Sequence, residues 1–107
     1  MRMKYHKLIR DRIPEIIERS GGSCITREMD EAEYIAMLEE KLSEELAEYM
    51  ESKSMEELAD LMEVIRAVAA ARGSSIAEVE AIRARKAQER GGFDRRLLLL
   101  QTQKPDE

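Results

Sequence analysis

Two apolar stripes of helical period, set on either side of a short polar turn, constrain this chain more than any other feature. The first is Tyr34, Ile35, Leu38, Leu42, Leu46 and Tyr49; the second is Leu58, Leu61, Val64, Ile65 and Val68. Each recurs at three- and four-residue intervals, which places its members on one face of an α-helix. The polar stretch around Ser52 and Lys53 is too short for anything but a tight reversal. The two helices are therefore expected to fold back antiparallel, with stripes that two such hairpins could bury against each other. Acids interrupt both stripes. At ~100° per residue, Glu45 falls inside the first and Glu57 inside the second, while Glu48 and Asp60 mark the rims. Glu45 with Glu48, and Glu57 with Asp60, are spaced i, i+3 and mirrored about the turn, so Glu48 is expected to face Glu57 and Glu45 to face Asp60. Glu44, Glu51, Glu56 and Glu63 are expected to point further away.

Acids that converge repel one another and lose solvation unless something positive lies between them. Oxygen-only ligands point to a hard divalent cation, Mg²⁺ with Mn²⁺ as the alternative. A plainer reading uses the same residues. Glu57 can be the reciprocal half of a capping box at Ser54, Glu45 can pair with Lys41 at i, i+4, Asp60 and Glu56 can complement a helix N-terminus, and Glu48 can be solvated.

Further helices flank the pair. The first spans about Arg12 to Ser20, with Pro14 in its opening turn and Gly21-Gly22 ending it. The second runs from about Asp30 to Glu51 and the third from Ser54 to Arg72. The fourth begins at Ser75, in a second capping box with Glu78, and ends at Gly91-Gly92. Ser23–Met29 leans towards β and reads as a strand or an extended crossing. Phe93–Leu100 reads as a strand or docking tail, and Gln101–Glu107 as a polar, frayed end. The chain of 107 residues is thus expected to be one mainly α domain, with room for a minor β element. Aromatics are 4% and tryptophan is absent, so the core must be aliphatic and thin for a monomer. A homo-oligomer is expected, most simply a dimer in which two hairpins form a four-helix bundle.

Composition excludes several classes of function. A net charge of −5 repels a phosphate backbone, so a nucleic-acid polymer is not an expected partner. One cysteine, Cys24, allows neither an internal disulfide nor a cysteine cluster, and reads as a small buried residue. One histidine, His6, leaves no Glu-x-x-His pair for a di-iron bundle and no ordered triad. No apolar run reaches the ~20 residues of a membrane span, and the opening Met-Arg-Met-Lys lacks the apolar run of a signal peptide. A cytoplasmic location is expected. Within the acidic chain, Lys7, Arg10 and Arg12 form one basic group, and Arg83, Arg85, Lys86 and Arg90 another. Arginine forks suit phosphate oxygens, though cations near a helix C-terminus also arise for the dipole alone.

Taken with both ends, the acidic motif resembles the MazG-type all-α nucleoside triphosphate pyrophosphohydrolases, a superfamily that includes phosphoribosyl-ATP pyrophosphohydrolase and dimeric dUTPases. The family pattern Glu-Glu-x-x-Glu followed by Glu-x-x-Asp reads here Glu44-Glu45-Leu46-Ala47-Glu48 and Glu57-Leu58-Ala59-Asp60. Lys7–Pro14 and Lys86–Phe93 are similar to a largely uncharacterised house-cleaning branch. The spacer Tyr49–Glu56 is shorter than the superfamily's usual one. The resemblance implies Mg²⁺ ligands at Glu45, Glu48, Glu57 and Asp60, and hydrolysis of a nucleotide to the monophosphate and pyrophosphate. Glu44 and Glu48 are candidates for orienting or deprotonating water, and Arg10, Lys86 and Arg90 for holding phosphates. A phosphoribosyl-ATP enzyme is the nearest alternative activity, and a non-enzymatic helical dimerisation module the main alternative class.

Overall fold

The computed structural model describes residues 5–105 and contains four α-helices: α1 (Ile13–Arg19), α2 (Glu31–Ser52), α3 (Met55–Ala71) and α4 (Ile76–Arg90). The reading of the opening four residues, and that of the last two, lies outside the described residues. The chain divides into two compact units, Met1–Ile76 and Ala77–Glu107.

In the first unit, α2 and α3 pack against each other as an antiparallel hairpin. Local chemistry sets its ends. Asp30 caps α2, its Oδ1 accepting from the Glu33 amide at 2.8 Å. Ser54 caps α3, its Oγ accepting from the Glu57 amide at 3.3 Å. Between them only Lys53 and Ser54 stand outside the helices. Lys53 takes the left-handed conformation, φ +59°, and donates its amide to the Tyr49 carbonyl at 2.7 Å, closing α2. Its ammonium lies 5.7 Å from the centre of the Tyr49 ring, which offsets part of the cost of that backbone.

The core is thin, as the composition implies. Leu38, Val64 and Ala69 are its buried apolar residues, and Glu45 is buried beside them. Leu46, a member of the α2 stripe, is by contrast half exposed, as are Met50 on α2 and Met55 and Met62 on α3. The reason is rotational. Measured from Leu38, Leu46 and Met50 lie on one side of the α2 seam and Glu48 on the other, at ~100° per residue. Antiparallel pairing carries the same division onto α3, with Met55 and Met62 on the apolar side and Glu57 and Asp60 on the acidic side. The hairpin thus has two flanks of opposite character.

Segments before α2 are held by polar ties. The Arg27 guanidinium grips both oxygens of Glu33, at 2.7 and 2.8 Å, fixing the stretch that leads into α2. Arg72, after α3, pairs with Glu39 on α2. α1 is one short run opened by Pro14 and closed at Gly21, whose φ of +93° suits a residue without a Cβ. Neither segment expected to lean towards β forms a strand among the described residues: Ser23–Met29 is an extended crossing, and Phe93–Leu100 is irregular. A strand exists only where a neighbour takes up its backbone hydrogen bonds, and neither segment finds one within its unit.

In the second unit, α4 has no buried residue, and it ends at Gly91, φ +81°. Phe93 and Leu97–Leu100 follow, all strongly exposed.

The left-handed lysine offers a direct check on the hairpin. Lys53→Gly is expected to stabilise the protein by about 0.5–1 kcal/mol, the relief of left-handed strain less the extra chain entropy of glycine. Lys53→Val is expected to destabilise it. Chemical denaturation of both variants measures this, and equal midpoints would show that the turn carries no strain.

Candidate metal centre

Glu45, Glu57 and Asp60 come together on the acidic flank, each offering a carboxylate oxygen within 4.8 Å of the others. Position follows from the helices. Glu45 sits two turns after Leu38 on the buried face of α2. Glu57 and Asp60 occupy the first turn and a half of α3, one turn apart on the side that meets it. The tight reversal at Lys53 and Ser54 sets the register that lets one residue of α2 meet two of α3.

Burial grades across the group. Glu45 is buried, Glu57 and Asp60 are half-buried, and Glu48 is exposed. Glu48 stands outside the group of three, at the rim, yet its charge reaches Glu45. Burial, then repulsion from Glu48, push the Glu45 carboxyl above the usual carboxylate range, and Lys41 offsets only part of this. Glu44 is exposed and lines a small nook with His6, Lys7 and Lys41.

The plainer assignments of these acids are met in part. Lys41 does pair with Glu45, Nζ to Oε1 at 3.5 Å. The capping box is not completed. The Ser54 amide donates instead to Ser52 Oγ at 3.3 Å, which leaves the Glu57 carboxylate free of that role. Two buried carboxylate oxygens, Oε2 of Glu45 and Oε2 of the half-buried Glu57, have no hydrogen-bond partner within the protein. A buried acceptor left unpaired costs about 1–3 kcal/mol, more when it is charged. Such an atom calls for a partner, and an ordered water or a cation can each supply one.

Among the described residues, two cations touch the group, Lys41 on Glu45 and Arg10 on Asp60, the latter Nη2 to Oδ1 at 2.9 Å. Arg10, expected only as a phosphate ligand, therefore lands on an acid 50 positions along the chain. No local spacing signals that contact. Glu63, expected to point away, stands outside the group and pairs with Arg66, which holds its carboxyl below the usual range. Lys86 and Arg90 lie one turn apart on α4, in the second unit, and both are exposed.

An all-carboxylate set with unpaired buried oxygens fits a hard divalent cation such as Mg²⁺ or Mn²⁺. It lacks the nitrogen and sulfur donors preferred by zinc.

No protein-family model matches the chain. It is similar to an uncharacterized protein of Mycolicibacterium smegmatis, 50% identical over 42 residues that make up 39% of this chain. The chain spans less than half of that relative, 43% of its length. No solved structure matches. Among the described residues, no helix is long and apolar enough to cross a membrane.

The electrostatics of Glu45 generate a signed expectation for the metal-free protein. Its carboxyl titrates higher folded than unfolded, so the fold favours the neutral form. The associated stability is complete below the unfolded value and is lost as pH rises through the folded one. Glu45→Gln, neutral throughout, is therefore expected to be more stable than wild type at pH 7 in EDTA. That advantage should vanish as the pH is lowered through the carboxylate range. Thermal melts from pH 4 to 8 measure it; a Gln variant that is less stable at pH 7 would mean the Lys41 pair outweighs burial and repulsion.

Proposed function

We propose that this chain is a Mg²⁺-dependent nucleoside triphosphate pyrophosphohydrolase, acting on a normal or damaged NTP or dNTP to give the monophosphate and pyrophosphate. The observation that carries the reading is the pair of buried, unpartnered carboxylate oxygens on Glu45 and Glu57, in one group with Asp60. Glu45, Glu57 and Asp60 would hold the ion, with Glu48 completing the set from the rim. When bound, the ion neutralises phosphate oxygens and lowers the pKa of water. The resemblance of Glu44–Glu48 and Glu57–Asp60 to the MazG-type motif agrees with that chemistry.

The remaining roles fall to the chain's own residues. Glu48, exposed at the rim, keeps its carboxylate in water beside Glu45, where it can orient or deprotonate a nucleophilic water, and Glu44 is the second candidate for that role. Arg10 brings a guanidinium to the edge of the same group, suited to the oxygens of a phosphate. Lys86 and Arg90 are further phosphate-binding candidates. Binding by the acids alone would be repulsive, so substrate affinity would depend on Arg10 together with the ion.

Self-association belongs to the same reading. Leu46, Met50, Met55 and Met62 give the hairpin an exposed apolar flank, and the core beneath it is too small to stand well alone. We infer that two hairpins cover these flanks in a four-helix bundle, leaving the acidic flanks to the substrate. A helical dimerisation module without catalysis would share this flank but gives no account of the buried acids.

Pyrophosphate release over a panel of normal and modified nucleoside triphosphates, with and without Mg²⁺, tests the activity. Glu45→Gln, Glu57→Gln and Asp60→Asn are each expected to lower turnover about a hundredfold or more, since a displaced ion no longer aligns water and phosphate. Glu51→Gln, exposed near the end of α2, is the control and should change little. Equal activity in wild type and all three site variants would falsify the metal-centre reading. Light scattering at micromolar concentration is expected to give at least twice the mass of one chain, and Met50→Glu with Met62→Glu to reduce it to one. A monomer mass for the wild type would remove the bundle.

A further inference from the structure

The proposed ion is not the only cation with a claim on these acids. Arg10 reaches Asp60 from the segment that precedes α1, a stretch without helical hydrogen bonds of its own. The pair is partly exposed on both sides, 58% and 45%, so water can replace either partner. The backbone of Arg10 is fixed nearby, since its carbonyl accepts from the Ile13 amide at 3.1 Å, at the start of α1. The side chain can therefore leave Asp60 while its anchor stays in place.

Lys41 provides the contrast. It sits on α2 itself, one turn from Glu45 and mostly buried, so its charge is a fixed part of the wall. Glu57 has neither cation, and its Oε2 remains unpaired. The group thus carries one resident counter-charge and one that is tethered and exchangeable. Its inner acid, Glu45, is nine-tenths buried and keeps an unpaired oxygen.

We propose that Arg10 is a displaceable counterion of the metal centre. In the metal-free protein it holds Asp60 in place and lessens the repulsion within the group. A divalent cation and Arg10 then compete for Asp60, because a carboxylate oxygen bound at 2.9 Å to a guanidinium has less electron density and less room for an ion. Once released, Arg10 remains at the edge of the site, free for a substrate phosphate. Metal occupancy thereby controls whether the guanidinium is available to the substrate and whether the segment before α1 is tied to α3. This inference rests on the metal-centre reading above and adds a regulation to it.

The sign of the effect separates it from simple structural support. Removing a competitor tightens metal binding, whereas removing a supporting residue weakens it. Mn²⁺ binding is measured by calorimetry at 150 mM salt on wild type, Arg10→Gln, Arg12→Gln and Glu57→Gln. Arg10→Gln is expected to bind Mn²⁺ about two- to fivefold more tightly, the range of an exposed ion pair. Arg12→Gln, which removes the same charge two residues on, should change affinity less. The segment tie gives a second readout: NMR resonances of the Arg10 guanidinium and of His6 should move on adding Mg²⁺ to wild type. The His6 shift should be reduced in Arg10→Gln.

Unchanged or weaker Mn²⁺ binding in Arg10→Gln, with Glu57→Gln still weakening it, would overturn the counterion role and leave the metal centre standing. An equal gain in Arg12→Gln would also overturn it, as an effect of net charge. No Mn²⁺ response to Glu57→Gln would instead remove the metal centre, and this inference with it.

Discussion

The seam between α2 and α3 is the interaction on which the rest of the first unit depends, and it is closed across like charges. Leu38 and Val64 are its buried apolar residues, one on each helix, while Glu45, Glu57 and Asp60 set a cluster of negative charge on the same two helices. Fully burying an aliphatic side chain contributes about 1.5–3 kcal/mol, so a core this small has little margin against a repulsive group in its wall. The fold tolerates the group by grading its exposure. Only Glu45 is deep, Glu57 and Asp60 are half-open, and Lys41 and Arg10 neutralise part of the charge. What remains is a site with residual demand for positive charge, held in place by the hairpin rather than by its own interactions.

That demand is aimed by the turn. A two-residue reversal at Lys53 and Ser54 leaves little slack in the register, so Glu45 of α2 meets Glu57 and Asp60 of α3. Ser52 contributes in an unobvious way. By accepting the Ser54 amide it takes over half of the capping box, and the Glu57 carboxylate, otherwise spent on its own helix end, is released to the group. A single hydroxyl thus decides whether an acid serves the helix or the site. The left-handed Lys53 is the conformational cost of the same tightness.

Much of this was legible in the sequence because it is local. Asp30 and Ser54 cap the helices they precede, and Gly21, Gly73 and Gly91 take positive φ at or just past the ends of α1, α3 and α4. The mirrored spacing of Glu45 with Glu48 and Glu57 with Asp60 brought three of the four acids into one group. It set Glu48 at the rim beside Glu45, because helical periodicity converts spacing into direction. The non-local features were not legible. Arg10 meeting Asp60 depends on the path of the chain before α1, for which no periodic signal exists. Leu46 is half exposed among the described residues, and a stripe read from one helix cannot reveal what covers it. The β-leaning of Ser23–Met29 was a genuine local propensity, overridden because no second strand lies alongside in its unit.

The two flanks of the hairpin impose a division of labour on any function it has. Apolar side chains that seek cover and carboxylates that seek a cation cannot share one surface without burying charge against methionine, which costs several kcal/mol per ion. Rotation about the seam keeps them apart: Leu46, Met50, Met55 and Met62 turn one way, and Glu48, Glu57 and Asp60 the other. Methionine suits the first flank, since an unbranched thioether adapts to an irregular partner. Carboxylates on short helical leashes suit the second, since a hard ion needs oxygens that arrive in a fixed arrangement. Covering the apolar flank would also stiffen the seam, and a stiffer seam holds the acids closer to the spacing an ion requires. The proposed self-association and the proposed metal binding would therefore reinforce each other through the same two helices, one on each flank.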